Sequence, residues 1–239
     1  LQKEKLKIMC LSDTHSQEDL LKIPKGKLSK CDIIIHCGDM TNIGQMEDVH
    51  SFLRWADNLL KEFPNIQKFI FIAGNHDFCF QNEYHDTCIK AIKNINNDIV
   101  YLQDDFITIN DIKIYGIPWQ PFFKNWAFNI NEPSDALEEK YLKIPKDTDI
   151  LVTHCPPYSI LDTTIYNRNK HLGSTTLYDT LKRNTNIKLC LSGHIHSGYG
   201  THIEGTKTFI NCSVMDEDYR CVNKPIFGVF KKGEIFKIK

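Results

Sequence analysis

Asp13 and His15 stand two residues apart at the end of an apolar run, and a carboxylate and an imidazole at that spacing can grip one divalent cation. Side chains of an extended segment repeat every second residue, so the spacing predicts both groups on one side of the chain. Asp39 follows Gly38 at the end of the next run. There the missing side chain lets backbone come close, and the two carboxylate oxygens make an aspartate bridging two cations the economical reading. Asn75, within Gly74-Asn75-His76-Asp77, offers a neutral carbonyl oxygen; His154 and the pair His194-x-His196 offer imidazole nitrogens. Taken singly, each motif has a bland counterpart: Asp-x-His as a cap, Gly-Asp as a turn, Gly-Asn-His-Asp as a loop. Their conjunction in fixed order is what speaks for one site. Its mixed nitrogen and oxygen donors, without thiolate, suit two neighbouring cations that activate water.

Strands must carry these groups to a common edge. Leu6 to Leu11, Asp32 to His36, Phe69 to Ala73, Ile150 to Thr153 and Ile187 to Leu191 are short, rich in β-branched residues, and each ends in one of the polar clusters. Such runs read as fully buried strands. Between them the periodicity predicts helices over Gln45 to Glu62, His85 to Ile95, Ser134 to Leu142 and Thr175 to Arg183. Strand-helix alternation implies an α/β core with function gathered at strand ends. Asp105 to Ile117 reads instead as a hairpin turning at Asn110-Asp111, residues that tolerate positive φ. After Gly198 the chain reads mostly as strand, over Thr206 to Ser213, Pro225 to Phe230 and Glu234 to Ile238. The expected architecture is a two-sheet sandwich with helices outside, in one domain over 1–239.

Composition narrows the function classes. Hydrophobic residues are 41% and charged residues 25%, the balance of a globular enzyme. Lys+Arg 29 against Asp+Glu 30 gives a net charge of -1 and no basic excess for non-specific nucleic-acid binding. Nine cysteines, an odd number without a Cys-x-x-Cys pair, fit neither a disulfide framework nor a zinc ribbon. A reducing cytoplasm is the simpler expectation, with Cys10, Cys37, Cys155 and Cys190 as buried small apolar side chains. The apolar stretches are too short to cross a bilayer, and Leu1 to Lys7 is charged rather than signal-like. The chain opens on Leu1 rather than Met, which leaves room for residues upstream.

Asp13-x-His15, Gly38-Asp39, Gly74-Asn75-His76-Asp77, His154 and Gly193-His194-x-His196 resemble the motif series of the calcineurin-like metallophosphoesterases, and the match spans most of the chain. Tyr115 to Pro121, Asn125 to Asn129, Gly198-Tyr199-Gly200 and Phe209 to Ser213 look like one branch of it, the metallophosphoesterase-domain proteins known from animal brain as the 239-protein group. The resemblance implies a four-layer αββα sandwich of two mixed β-sheets flanked by helices. It implies one metal on Asp13, His15, Asp39 and His196 and a second on Asp39, Asn75, His154 and His194, with Asp39 bridging. Some members of the branch lack the histidine at the position of His194; its presence here implies full loading with two divalent ions, manganese first, with iron, zinc, cobalt, nickel or magnesium as alternatives.

The activity so implied is hydrolysis of small phosphodiesters, cyclic nucleotides among them, by a metal-bridging hydroxide. His76 resembles the family's general acid, or else a phosphate-orienting donor, and Asp77 is expected to orient its imidazole or raise its pKa. Met40-Thr41-Asn42-Ile43 and Ala73 depart from the Asp-Arg-Gly continuation and the Arg that the protein phosphatase branch carries, which disfavours phosphoproteins. Trp119, Phe122, Phe123, Trp126 and Tyr199 are candidates to stack a nucleobase, or else core. The rivals are a phosphomonoesterase acting on nucleotides or sugar phosphates and a non-catalytic scaffold. No membrane or strong nucleic-acid footprint is expected.

Overall fold

The computed structural model describes residues 4–239, so Leu1 to Lys3, the start of the charged N-terminal stretch, lie outside the described residues. In chain order the strands are β1 (Lys5–Leu11), β2 (Ile33–His36), β3 (Lys68–Phe71), β4 (Ile99–Tyr101), β5 (Asp105–Ile109), β6 (Ile112–Ile117), β7 (Gln120–Pro121) and β8 (Asn129–Ile130). They continue as β9 (Ile150–Thr153), β10 (Thr163–Thr164), β11 (Asn167–His171), β12 (Leu189–Ser192), β13 (Gly200–Glu204), β14 (Lys207–Asn211), β15 (Ile226–Lys231) and β16 (Lys237–Ile238). The helices are α1 (Lys25–Leu28), α2 (Met46–Glu62), α3 (His85–Ile95), α4 (Asp135–Leu142) and α5 (Thr175–Arg183).

Two mixed six-stranded sheets form the centre, in the orders β16-β15-β1-β2-β3-β4 and β13-β14-β12-β9-β6-β5. β1 to β4 run parallel in the first, and β14, β12, β9 and β6 run parallel in the second. Alternation along each strand sorts its residues into layers. Leu6, Ile8 and Cys10 of β1 join Ile33, Ile35 and Ile70 in a core shared with Ile114, Ile150, Val152 and Leu191 of the opposite sheet. Met9 and Leu11 instead pack with Val49, Phe52, Leu53 and Ala56 of α2 and with Cys88 and Ile92 of α3. On the far side, Leu151 and Cys190 pack with Leu137 and Tyr141 of α4 and Leu177 and Leu181 of α5. The result is the expected αββα sandwich, and burial on both faces explains why these strands read as unbroken apolar runs.

Local chemistry fixes the ends. Ser134 and Ser174 cap α4 and α5, their hydroxyls accepting the amide protons of Leu137 (3.3 Å) and Leu177 (3.0 Å). Asn110 and Asp111 have φ of 51° and 60°, the left-handed pair that a two-residue hairpin needs between β5 and β6. The expected strand over Glu234 to Ile238 shortens to β16, because the Glu234 amide turns back to the Lys231 carbonyl (2.9 Å). The cysteines are all free thiols, and Cys10, Cys37, Cys155 and Cys190 are buried as expected. Among the described residues no helix is long and apolar enough to cross a membrane.

Candidate metal centre

The carboxyl ends of β1, β2, β3, β9 and β12 meet at one edge of the two sheets, and the chain leaves each strand into a polar turn. β1 ends at Leu11, so Asp13 and His15 are not on an extended segment. Asp13, His15 and Asp39 have φ of 57°, 43° and 57°, and His194 has 64°. Left-handed backbone, rather than the strand alternation expected for Asp13-x-His15, turns these side chains inward. Each such residue costs about 1–3 kcal/mol, a strain that persists only where the surroundings enforce it. The enforcement is visible: Asp13 N donates to Gly38 O (2.9 Å), His15 N to Asp39 O (3.1 Å), and His194 N to the Asp13 carboxylate (3.1 Å). Gly74 and Gly193 are required by contact, since a Cβ on either would collide with the Asp39 or the Asp13 carboxylate.

All seven side chains expected to hold metal converge there. Possible ligand atoms of Asp13, His15 and His196 lie within 4.8 Å of one another, as do those of Asp39, His154 and His194. Asp39 is shared, because it also groups with His15 and His76. Its Oδ2 lies 3.2 Å from His154 Nε2 and 3.9 Å from His15 Nε2, and Asn75 Oδ1 lies 3.0 Å from His154 Nε2. His196 Nε2 is 3.5 Å from Asp13 Oδ1.

Backbone carbonyls aim the imidazoles. Nδ1 of His15, His154 and His196 meets Thr41 O (3.1 Å), Cys37 O (2.8 Å) and Asp216 O (2.8 Å), which makes Nδ1 the protonated nitrogen and turns Nε2 to the centre. His15 Nε2 is buried with no hydrogen-bond partner among the described residues. A buried imidazole nitrogen without a partner is costly unless something binds it, and a cation fits. Burial pushes the His15 imidazole down to about 4, and burial with the neighbouring His154 pushes His194 down to about 3. Both are neutral and offer lone pairs. Burial opposes charge at His154 and His196, but Asp39 and Asp13 respectively overcome it and raise each to about 9. Burial likewise opposes ionisation of Asp39 and Asp13, yet these histidines hold both carboxyls below their usual range.

A chain of buried hydrogen bonds runs beneath the centre. Gly38 N donates to His36 Nδ1 (3.2 Å), His36 Nε2 faces Thr14 Oγ1 (3.1 Å), and Thr14 donates onward to Glu18 Oε1 (2.8 Å). Burial pushes the Glu18 carboxyl up to about 7 from its ordinary 4.5. Folding therefore favours the protonated acid: that stability is complete below pH 4.5 and is lost as pH rises through 7. Glu18→Gln, which keeps the Thr14 acceptor, is expected to stabilise the protein by about 2 kcal/mol at pH 8 and not at pH 4.5. Thermal melts at the two pH values check this; equal shifts at both would refute it.

Asp77 corrects an expectation. It is fully buried, and its carboxylate accepts from Gly74 N (2.8 Å), Asp39 N (2.9 Å), Thr41 N (2.9 Å) and Thr41 Oγ1 (2.8 Å). The turn that closes from Asp77 N to Gly74 O sends Asp77 inward, where it splices the loops after β2 and β3. His76 turns to the cleft instead. Its Nδ1 meets Asn42 O (2.6 Å), its ring stacks on Trp126 (centroids 4.0 Å apart, 27° between planes), and its Nε2 lies 3.9 Å from Asp39 Oδ2. The orienting group is therefore a carbonyl and an indole, not Asp77.

The cleft over the centre has a volume of about 470 Å³, with Asp39, His76, His194 and His196 at its floor. Phe122, Phe123 and Trp126 line it, but Trp119 and Tyr199 do not. Trp119 donates its indole N–H to Asp104 (2.9 Å) beneath Lys140, and Tyr199 donates its hydroxyl to Lys224 O (2.8 Å). Trp119 packs against Phe128, the core alternative, and Tyr199 lines a neighbouring cavity with His196 and Glu217 rather than the cleft over the centre. The sequence reading missed Tyr219, whose ring stands 4.8 Å from His15 and 5.2 Å from His196. The Asp216 carboxylate accepts from Asp218 N (3.0 Å) and Arg220 N (2.9 Å), closing the turn that presents Tyr219. Asp216-Glu217-Asp218-Tyr219 was the signal in the sequence, an acidic run just after the Phe209 to Ser213 segment but outside the donor motifs.

Comparison with known proteins agrees with this geometry. The sequence profile of the calcineurin-like phosphoesterases matches residues 6–198. The chain is 36% identical over 238 residues to metallophosphoesterase domain-containing protein 1 of Homo sapiens, spanning 92% of this chain and 69% of that protein. It is 31% identical over 238 residues to a UPF0046 protein of Caenorhabditis elegans, spanning 95% of this chain and 76% of that protein. A solved crystal structure superposes with a TM-score of 0.64 at 15% identity, covering 98% of each chain, and supports the fold alone. A strand-end centre of carboxylates and imidazoles, a matching profile and relatives aligned over nearly the whole length leave one assignment: the chain belongs to the calcineurin-like phosphoesterase family.

Proposed function

We propose that the chain works as a single cytoplasmic domain, a dinuclear-metal-dependent phosphodiesterase acting on small phosphodiesters, cyclic nucleotides among them. The observation that carries this reading is the shared position of Asp39 between two groups of nitrogen and oxygen donors, with the partnerless His15 Nε2 beside it. Asp13, His15, Asp39 and His196 would hold one cation, and Asp39, Asn75, His154 and His194 the other, manganese being the first choice. When bound, the pair would supply a nucleophile from water near neutral pH and electrostatic stabilisation of the charge that develops on phosphorus.

The remaining steps belong to the chain itself. His76 keeps Nδ1–H on the Asn42 carbonyl, which leaves Nε2 as the atom that would deliver a proton to the departing oxygen. Stacking on Trp126 confines the ring to that orientation. Asp77 holds the backbone from Asp39 to Thr41 against Gly74, which keeps the shared carboxylate and His76 in register. Tyr219 and Phe123 stand over the floor as apolar walls for the ester's organic part.

The test is a panel run on metal-free protein reconstituted separately with manganese, iron, zinc, cobalt, nickel and magnesium. Bis(p-nitrophenyl) phosphate, p-nitrophenyl phosphate, and 2′,3′- and 3′,5′-cyclic nucleotides are the substrates. A diester-to-monoester kcat/KM ratio of about 10 or more, equivalent to about 1.4 kcal/mol of selectivity, is expected. A ratio below unity would assign the centre to monoesters, and no turnover with any metal would assign the fold to a scaffold.

A further inference from the structure

Two ammonium groups line the same cleft as the candidate metal centre, Lys124 from one wall and Lys170 from another. Among the described residues neither has an ion-pair or hydrogen-bonded partner; Lys124 Nζ only rests over the Phe123 ring, 5.2 Å from its centroid. The other charges of the cleft are engaged. Asp39 faces His154, and Glu217 accepts from Ser197 N (3.3 Å) and its hydroxyl. Elsewhere on the surface Lys25, Lys68, Lys113 and Lys140 do meet carboxylates. In a chain with a net charge of -1, these two ammonium groups give the cleft over the candidate centre positive charge that no carboxylate among the described residues pairs with.

Both lysines sit on anchored backbone. The Asn129 side-chain amide donates to Phe123 O and Lys124 O, each at 3.0 Å, and closes the loop between β7 and β8. Lys170 lies on β11, which pairs with β10; next to it His171 Nδ1 meets the buried Asp162 Oδ1 (2.7 Å), and Asp162 Oδ2 accepts from Ser159 N (2.9 Å) and Gly173 N (3.0 Å). An anchored backbone lowers the part of the ordering cost that comes from the loop rather than from the lysine side chains. An ammonium is a point charge with three donors, well suited to a phosphate.

We propose that Lys124 and Lys170 form a second anion subsite, and that the preferred substrates are small phosphoesters bearing a further phosphate away from the scissile one. A cleft of about 470 Å³ has room for such a mononucleotide-sized molecule. This inference rests on the reading of the centre as a phosphoesterase site, in which the metal-bound phosphate and the lysine-bound phosphate are different groups.

The test pairs a binding readout with a turnover readout on metal-loaded protein, wild type against Lys124→Gln/Lys170→Gln. Calorimetric titration with adenosine 3′,5′-bisphosphate and with adenosine 3′-monophosphate is expected to show the bisphosphate bound about tenfold more tightly by wild type, the scale of one charged hydrogen bond. The double variant should bind the two within about twofold of each other. In turnover, adenosine 2′,3′-cyclic phosphate carrying a 5′-phosphate should exceed the 5′-hydroxyl form in kcat/KM by a similar factor, and the glutamines should abolish that ratio. Equal affinities in wild type, or a preference that survives in the double variant, would overturn the subsite. A binding preference without any turnover would leave the subsite standing and defeat the phosphodiesterase reading.

Discussion

Asp39→Asn is expected to fold and to lose most of its metal, with kcat/KM on a nitrophenyl diester down by at least about 10³-fold, or about 4 kcal/mol of transition-state stabilisation. The carboxylate groups with His154 and His194 on one side and with His15 on the other, so one change is expected to affect both cations. Its loss also leaves His154 facing a neutral amide in place of the charge that raises it to about 9. Asparagine is the informative substitution because Asp39 has a φ of 57°, which asparagine tolerates. Asp39→Ala adds backbone strain of about 1 kcal/mol or more and removes the acceptor for His76 N at 2.8 Å. Elemental analysis after gel filtration measures the metal, and circular dichroism checks the fold. Two metals retained per folded chain would remove Asp39 from its bridging position and with it the mechanism.

His76→Ala separates an acid from a mere phosphate donor. A proton delivered to the leaving oxygen matters most when that oxygen departs as a poor leaving group. The variant should lose about 10²–10⁴-fold on alkyl or cyclic diesters and less than about tenfold on a nitrophenyl diester. A hydrogen bond to a non-leaving phosphate oxygen would instead cost the two substrates alike, and equal losses would end the acid assignment. Trp126→Leu is a useful companion, because it removes the stacking at 4.0 Å while leaving the Asn42 carbonyl in place. If orientation is the contribution of Trp126, its loss should follow the same leaving-group order at smaller size.

Much of the fold was legible because the chemistry that fixes it is local. Ile150–Thr153, His85–Ile95 and Thr175–Arg183 have the expected boundaries, for there an unbroken apolar run or a periodic apolar face coincides with the cap or polar cluster that ends the element. β4 and β13 escaped notice. Three residues of Ile-Val-Tyr are too few to show a period, and Gly200 to Glu204 is exposed from Thr201 onward and pairs only at the sheet edge. Asp77 and His76 were read as partners because they are adjacent. Consecutive residues in a tight turn point apart, and the groups that position His76 come from residues 42 and 126. Trp119 and Tyr199 show the same limit, since an aromatic residue near a motif in sequence says nothing about which side of the sheet edge its ring will occupy.

The sequence by itself determined the donor set, the strand ends that carry it and the layered α/β architecture, because each follows from residue type and periodicity within a short window. Only the tertiary structure decided how the donors face one another. Left-handed turns at Asp13, His15, Asp39 and His194, carbonyls from distant loops fixing each imidazole, and walls built from Phe123, Lys124, Lys170 and Tyr219 arise from contacts between segments far apart in the chain. Those contacts depend on register and on the packing of one sheet against the other, which no local pattern encodes.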